Sequence, residues 1–320
     1  MESKVLPIAP SPTLSPFADS SDDRNHQIPA EKSPAPPTTP STPLSVQDIR
    51  RWKPAAQRNL RNQWSVLSSL RTQWLSLSST ARSYATSVVN SYLSRRYMDA
   101  MELGILTEMP DIRKKACRKL FKQQDTNRSK LLSSYKDMVA VVTQMVYVSK
   151  SMRCYLKGTS GTPFIEFSCV PGNQNDTGDC EGIPVFTFWS IFDFEKLAEE
   201  LVQMFVSETS TKRLLVMEIC SIGSKDFSQV DKLKWSDHFY DGEFDDLRIC
   251  NSNSDEVVKQ LVPWAESWNA QSSTMQSSSQ FERNVLQVYL TTWLAEVNVD
   301  RFRIGELFAM VGEEMHVTIS

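Results

Sequence analysis

Apolar residues in the first half of the chain recur at helical spacing. In the segment LRNQWSVLSSLRTQWLSLSS, residues 60–79, they fall at intervals of four, three, three, four and three, which is the period of an α-helix. Ser45, followed by Asp48, resembles a capping box, so we expect a helix to begin there. Pro110 interrupts the pattern, and further helices are predicted at about 112–124 and 129–156. Residues 46–157 therefore form a helical hairpin, a bundle or a short coiled coil.

The segment also repeats itself after ten residues, as LRNQW and then LRTQW. Ten residues turn an ideal helix by about 1000°, roughly 80° short of three full turns. Trp64 and Trp74 therefore lie on neighbouring faces. This apolar stripe is wide and drifts around the helix, so it suits packing against several partners better than a long regular coiled coil.

Beyond residue 158 the pattern changes. PFIEFSCV (163–170) and PVFTFWS (184–190) resemble strands, residues 193–208 an amphipathic helix, and the apolar run KRLLVMEICSI (212–222) a buried strand. A βαβ unit could be formed by the strand at 184–190, the helix at 193–208 and the strand at 212–222. We expect further helices near 254–269 and 281–298, then a short helix and a last strand. The predicted fold class is α+β, with a small mixed β-sheet covered by helices.

Residues 1–45 hold ten of the sixteen prolines, so they cannot bury enough apolar surface to fold, and we expect a disordered tail. The alternative to a plain spacer is a tail modified by proline-directed kinases. The candidate sites precede proline: Ser11, Ser15, Ser33, Thr39 and Thr42. The predicted domains are the tail at 1–45, a basic helical region at 46–157 and an acidic α+β domain at 158–320.

Charge is segregated along the chain, although the net charge is only −3. Residues 49–160 contain 21 basic and 6 acidic side chains, and residues 161–320 contain 11 basic and 26 acidic ones. The basic helices favour contact with protein partners or with nucleic-acid phosphates, or pairing with the acidic half. Trp52, Trp64 and Trp74 would stack on bases or fill the core. The candidate contact residues are Arg50, Arg51, Lys53, Arg58, Arg61, Arg71, Arg113, Lys114, Lys115, Arg118 and Lys119.

An acidic and aromatic segment, WSDHFYDGEFDDL, occupies residues 235–247. We interpret it as a docking patch for a basic partner, made by Asp241, Glu243, Asp245 and Asp246. The alternative is an enzyme that uses these carboxylates with His238. No nucleotide-binding, hydrolase or zinc-protease motif occurs, and there are only three histidines. We therefore expect no enzymatic activity, no cofactor and no metal.

The six cysteines are scattered without a CxxC pair, which favours free thiols in a reducing compartment over a zinc site of Cys154, Cys169, Cys180 and Cys220. RKKACRKLFK (113–122) resembles a nuclear-import patch, so a nuclear location is preferred to a cytoplasmic one. We expect no membrane association.

The sequence predicts a non-catalytic interaction or scaffold protein in chromosome or spindle machinery. It would bind protein partners and self-associate through helix packing. The alternative function is sequence-independent nucleic-acid binding.

Overall fold

The computed structural model describes residues 46–157, 164–167, 177–223, 237–250 and 279–319. They belong to one compact unit, Pro43–Ser320. The predicted disordered tail and the helix predicted near 254–269 lie outside these residues. The elements are α1 (Val46–Tyr97), a 3₁₀ helix (Gly104–Glu108), α2 (Ile112–Lys150), β1 (Cys154–Lys157), β2 (Phe164–Phe167), a 3₁₀ turn (Cys180–Gly182), α3 (Ile191–Ser221), α4 (Glu243–Cys250), α5 (Ser279–Ala295) and α6 (Arg301–Met315).

Helices α1 and α2 form an antiparallel pair. At the start of α1, Trp52 Nε1 donates a hydrogen bond to the Cys154 carbonyl oxygen at 2.9 Å, and Asn59 Nδ2 donates to the carbonyl oxygens of Ser151 and Met152 at 3.0 Å each. The beginning of α1 is thereby fixed to the residues that follow α2. Residues 112–150 form one helix rather than the two that we predicted, because no proline or glycine interrupts them. The short coiled coil stays a prediction.

The wide apolar stripe of α1 packs against several elements. Trp64 is fully buried with its ring 5.7 Å from Phe308 of α6, and Trp74 is fully buried with its ring 5.1 Å from Phe205 of α3. The two repeats therefore face different partner helices, as the rotation of about 80° between them predicts. Trp52 is buried as well, so all three tryptophans belong to the core and are not available to stack on bases.

The predicted βαβ unit is wrong. Residues 184–190 form no strand because the backbone N–H groups of Thr187, Phe188 and Trp189 all donate to Glu314 Oε1, at 2.9, 2.6 and 2.9 Å. Residues 212–221, predicted as a strand, continue α3. A continuous apolar run does not distinguish a buried strand from a buried helix. Here the run begins with two buried cations that are held by helical carboxylates.

The sheet of the described residues has two antiparallel strands, β1 and β2, with Cys154 opposite Phe167 and Lys157 opposite Phe164. It replaces the predicted mixed sheet, and β1 lies where we expected the end of a helix. Residues 316–319 form no strand. The core takes fully buried side chains from both sides of residue 158, including Leu60, Val139, Leu201 and Leu307. The predicted domain boundary there stays a prediction.

Candidate functional site

The basic residues that the sequence singles out fall into two groups. Arg50, Arg51, Lys53, Arg58, Arg61 and Arg71 lie in the first half of α1, and Arg113, Lys114, Lys115, Arg118 and Lys119 lie in the first turns of α2. Because α1 and α2 are antiparallel, the first group lies beside the end of α2 and the second beside the end of α1. The structure therefore does not bring the two groups together into one continuous basic face.

Several basic residues of α1 are engaged in the fold. Arg61 donates to the Met315 carbonyl oxygen at 3.2 Å, and its guanidinium lies 5.0 Å from the centre of the Phe186 ring. Arg71 lies 5.5 Å from the centre of the Phe308 ring. The matching arginines of the LRNQW and LRTQW repeats thus both rest on aromatic rings. Arg50, Arg51 and Arg58 are exposed.

The second group lies in a surface that we call the hairpin end, residues 92–123. None of its side chains is buried. From residue 112 to residue 123 it carries six lysines and arginines and no acidic residue. Lys114 forms an ion pair with Asp111 at 3.4 Å, but both side chains are largely exposed, so the pair contributes little. Lys115, Arg118 and Lys119 are exposed on the same helix.

The hairpin end also exposes large apolar side chains, and the connector between α1 and α2 provides most of them. Ile105 is 94% exposed, which is unusual for a side chain of this type. The others are Met101, Leu106, Met109 and Phe121. Basic and apolar side chains side by side are typical of a surface that contacts a macromolecule.

The shape of the connector follows from its sequence. Gly104, with φ of +53°, begins the 3₁₀ helix. Pro110 cannot continue a helix, and Asp111 adopts a left-handed conformation, with φ of +61°, as the residue before α2. The Asp111 carbonyl oxygen accepts a hydrogen bond from the Lys115 N–H at 2.9 Å. The Asp111 carboxylate also stands at the positive end of the α2 dipole.

The inner boundary of the hairpin end is fixed to the end of α3. Gln124 Nε2 donates to the Ile222 carbonyl oxygen at 3.1 Å, and Arg128 donates to the same oxygen. Burial lowers the pKa of Arg128, while Cys220 and Asp125 oppose this shift. A side chain in place of Gly223, which has φ of +74°, would lie only 2.8 Å from Arg95 Nη2. The α1–α2 pair is therefore held rigidly up to this point.

The predicted acidic patch is only partly exposed. Glu243 is fully buried and its Oε1 lies 2.8 Å from Nε of Arg213, so including it in a docking patch was wrong. Asp246 accepts a hydrogen bond from the Tyr240 hydroxyl at 3.1 Å. Asp241 and Asp245 are exposed. His238 lies against the Phe244 ring, with 4.2 Å between the ring centres.

The pairs Arg213–Glu243 and Lys212–Glu208 are features that sequence reasoning missed. Lys212 Nζ lies 2.9 Å from Glu208 Oε1, and both side chains are fully buried. Burial lowers the pKa of Lys212, and Glu208 opposes this shift. The i, i+4 spacing of Glu208 and Lys212 is a usable signal, but the helix predicted from the sequence ends at residue 208 and therefore separates the two residues.

In the part of the chain that the structure describes, no three His, Cys, Asp or Glu side chains come together as ligands for a metal ion. Cys169 and the phosphorylation candidates Ser11, Ser15, Ser33, Thr39 and Thr42 lie outside that part. None of the described helices combines the length and hydrophobicity needed to cross a membrane.

No protein-family model matches the sequence, and neither does any curated protein.

Proposed function

We propose that this chain is a non-catalytic interaction protein, resident in the nucleus, whose main contact surface is the hairpin end. The observation that carries the proposal is the stretch 112–123, where six cations occur without an acidic residue and without a buried side chain. An ordinary solvent-exposed helix face does not require an excess of one charge. It also does not require exposed apolar side chains beside that charge. A protein partner with acidic and apolar side chains on one surface complements both features.

Affinity purification of the full-length protein followed by mass spectrometry tests this proposal. The test variant reverses three exposed charges of the hairpin end, and the control variant reverses three exposed charges of α1. The first is Lys115→Glu, Arg118→Glu and Lys119→Glu; the second is Arg50→Glu, Arg51→Glu and Arg58→Glu. We expect the first variant to lose the main partners at least 10-fold and the control to retain them. Equal recovery with both variants would refute the hairpin end as the contact surface.

Sequence-independent nucleic-acid binding is the second candidate, because the same exposed cations would also release counterions from a phosphate backbone. Gel-shift titrations of the full chain on duplex DNA and on RNA, at several salt concentrations, separate the two functions. Removal of three phosphate contacts would reduce the salt slope by about 2.7 for duplex DNA. The absence of binding at low salt would eliminate this candidate.

The nuclear location rests on the exposed patch within residues 113–122, which an import receptor can reach. A fluorescent fusion of the full chain should be nuclear, and the triple variant of α2 should shift to the cytoplasm while the α1 control stays nuclear. A wild-type protein that stays in the cytoplasm would contradict the proposal.

In the same proposal, phosphorylation of the tail at residues 1–45 regulates partner binding, because it adds roughly −1.5 to −2 charge per site. A role in chromosome or spindle machinery remains part of this proposal.

A further inference from the structure

A cavity of about 350 Å³ lies between α1, α3, α5 and the start of α6, in a different part of the fold from the hairpin end. Its volume is within the range of small-molecule sites, roughly 300–1,000 Å³. One wall is a single face of α1, made by Arg71, Leu75, Ser78, Ser79 and Arg82. These positions follow the i, i+4, i+7, i+8, i+11 spacing that places side chains on one side of a helix. An arginine therefore stands at each end of this wall.

The other walls are mainly apolar. The cavity is faced by Phe205 of α3, Trp293 of α5, Ile304 of α6, and Val299 between α5 and α6. All four side chains are buried in the core. Two of them are aromatic, so the cavity offers an aromatic and aliphatic surface to the body of a ligand.

The carboxylate in the cavity wall is already engaged. Glu296 Oε1 accepts a hydrogen bond from the Ser78 hydroxyl at 3.1 Å, and Oε2 accepts one from Arg301 Nη2 at 2.7 Å. Glu296 itself is held in a left-handed backbone conformation, with φ of +49°, which is uncommon for a residue with a side chain. Each carboxylate oxygen of Glu296 therefore accepts a hydrogen bond, and the Glu296 charge is paired with that of Arg301.

Arg71 and Arg82 are the cations that remain. Both are half-buried, and neither forms an ion pair in the described ranges of the chain. Arg71 is positioned over the Phe308 ring. Arg82 lies close enough to Lys212 for its charge to add to the effect of burial in lowering the pKa of that lysine. Two half-buried positive charges over an apolar cavity are electrostatically incomplete, because burial reduces their solvation without supplying a counter-charge.

We propose that this cavity binds a small organic anion with an apolar, aromatic body and one carboxylate or sulfonate group. The aromatic body fills the space between Trp293, Phe205 and Ile304. The anionic group pairs with Arg82, whose planar guanidinium matches a carboxylate with two parallel hydrogen bonds. Arg82 selects for the negative charge of the ligand, and the apolar walls select for its aromatic body.

Titration of the full-length protein with 8-anilinonaphthalene-1-sulfonate tests the proposal, since this aromatic sulfonate becomes fluorescent in an apolar site. We expect saturable binding of one molecule per chain. Competition then separates the role of the charge: 4-phenylbutyrate should displace the probe at a concentration at least 10-fold lower than 4-phenylbutanamide, which has the same body without the charge. Equal displacement by both compounds, or no saturable binding to the wild type, would overturn the proposal.

Three variants locate the site. Arg82→Met removes the charge but keeps the length of the side chain, and it should weaken probe binding at least 10-fold. Leu75→Trp fills the cavity and should abolish binding, whereas Arg58→Met, on the exposed side of α1, should leave it unchanged. Far-UV circular dichroism and thermal melting confirm that each variant is folded. Wild-type affinity in folded Arg82→Met and Leu75→Trp would show that the probe binds elsewhere and would refute the proposal. Neither result bears on the hairpin end.

Discussion

The buried carboxylate of Glu243 is compensated by partners from several elements. The Glu243 carboxylate accepts hydrogen bonds from Arg213 Nε at 2.8 Å, the Tyr135 hydroxyl at 2.9 Å and the Phe239 N–H at 2.7 Å. The Arg213 guanidinium lies about 5 Å from the centres of the Phe239 and Phe244 rings. Burial raises the pKa of Tyr135, and the neighbouring Glu243 charge adds to this shift. Glu243 therefore joins α2, α3 and α4 at one point.

Glu243→Ala should destabilise the protein by about 3–5 kcal/mol, because it leaves the buried Arg213 without a counter-charge. Urea denaturation followed by circular dichroism measures the loss. The matched control is Asp245→Ala in the same helix, where the ion pair with Arg248 is exposed; it should change the free energy of unfolding by less than about 0.5 kcal/mol. Similar losses for both variants would mean that the buried pair is not important for stability.

Single elements differ in how far the sequence predicts them. Helix α1 follows its pattern closely, because 52 residues with periodic apolar positions and no acidic residue after Asp48 have no competing structure. Helix α3 does not, because its second half is apolar on most sides and lacks the alternation that would identify a face. The predicted strand at 184–190 fails for another reason: its N–H groups find a carboxylate 125 residues or more away.

Close packing of α1 depends on small residues as well as on its tryptophans. Ala85 is fully buried in the core, whereas Ser83, two residues earlier, is exposed. Ala85→Leu should therefore destabilise the protein by about 1–3 kcal/mol through overpacking. Ser83→Leu adds similar bulk on the exposed side and should have an effect below about 0.5 kcal/mol. Chemical denaturation of the two variants compares these costs, and equal values would contradict the burial of this face.

For the whole molecule, opposite charge in the two regions does not by itself hold them together. Arg153 and Glu195 form an ion pair across them at 2.9 Å. The fully buried pairs, Arg213–Glu243 and Lys212–Glu208, lie within the acidic region itself. Contact between the regions is largely apolar, through the shared core. In the described ranges of the chain, Lys115, Arg118 and Lys119 of the hairpin end form no ion pair with the acidic region.

Stability of the whole molecule should fall as the pH rises from about 9 to 12. Burial raises the pKa of Cys154 and of Cys220 to about 12, from 9.0 in the unfolded chain. The folded state therefore retains protons that the unfolded state loses in this range, and each thiol contributes up to about 1.4 kcal/mol of lost stability per pH unit. Lys212 opposes this trend, because its lowered pKa favours the folded state as pH rises towards 10.5.

The double variant Cys154→Ala, Cys220→Ala isolates this effect. As the pH rises from 9 to 12, its free energy of unfolding should fall less steeply than that of the wild type. The difference between the two slopes should be up to about 2.7 kcal/mol per pH unit. Urea denaturation at several pH values in this range provides the comparison. Parallel curves for the two proteins would show that the thiols are not protected from ionisation by the fold.

The sequence alone determines the helical character of residues 46–157, the rotation between Trp64 and Trp74, and the basic excess that marks the hairpin end. These are local properties, because helical period and charge depend on neighbouring residues. Only the tertiary structure decides that Glu243 is buried, that Glu314 binds the N–H groups of residues 187–189, and that Arg71 and Arg82 border one cavity. Each of these depends on groups far apart in the chain, whose meeting is set by packing of the whole core rather than by any local pattern.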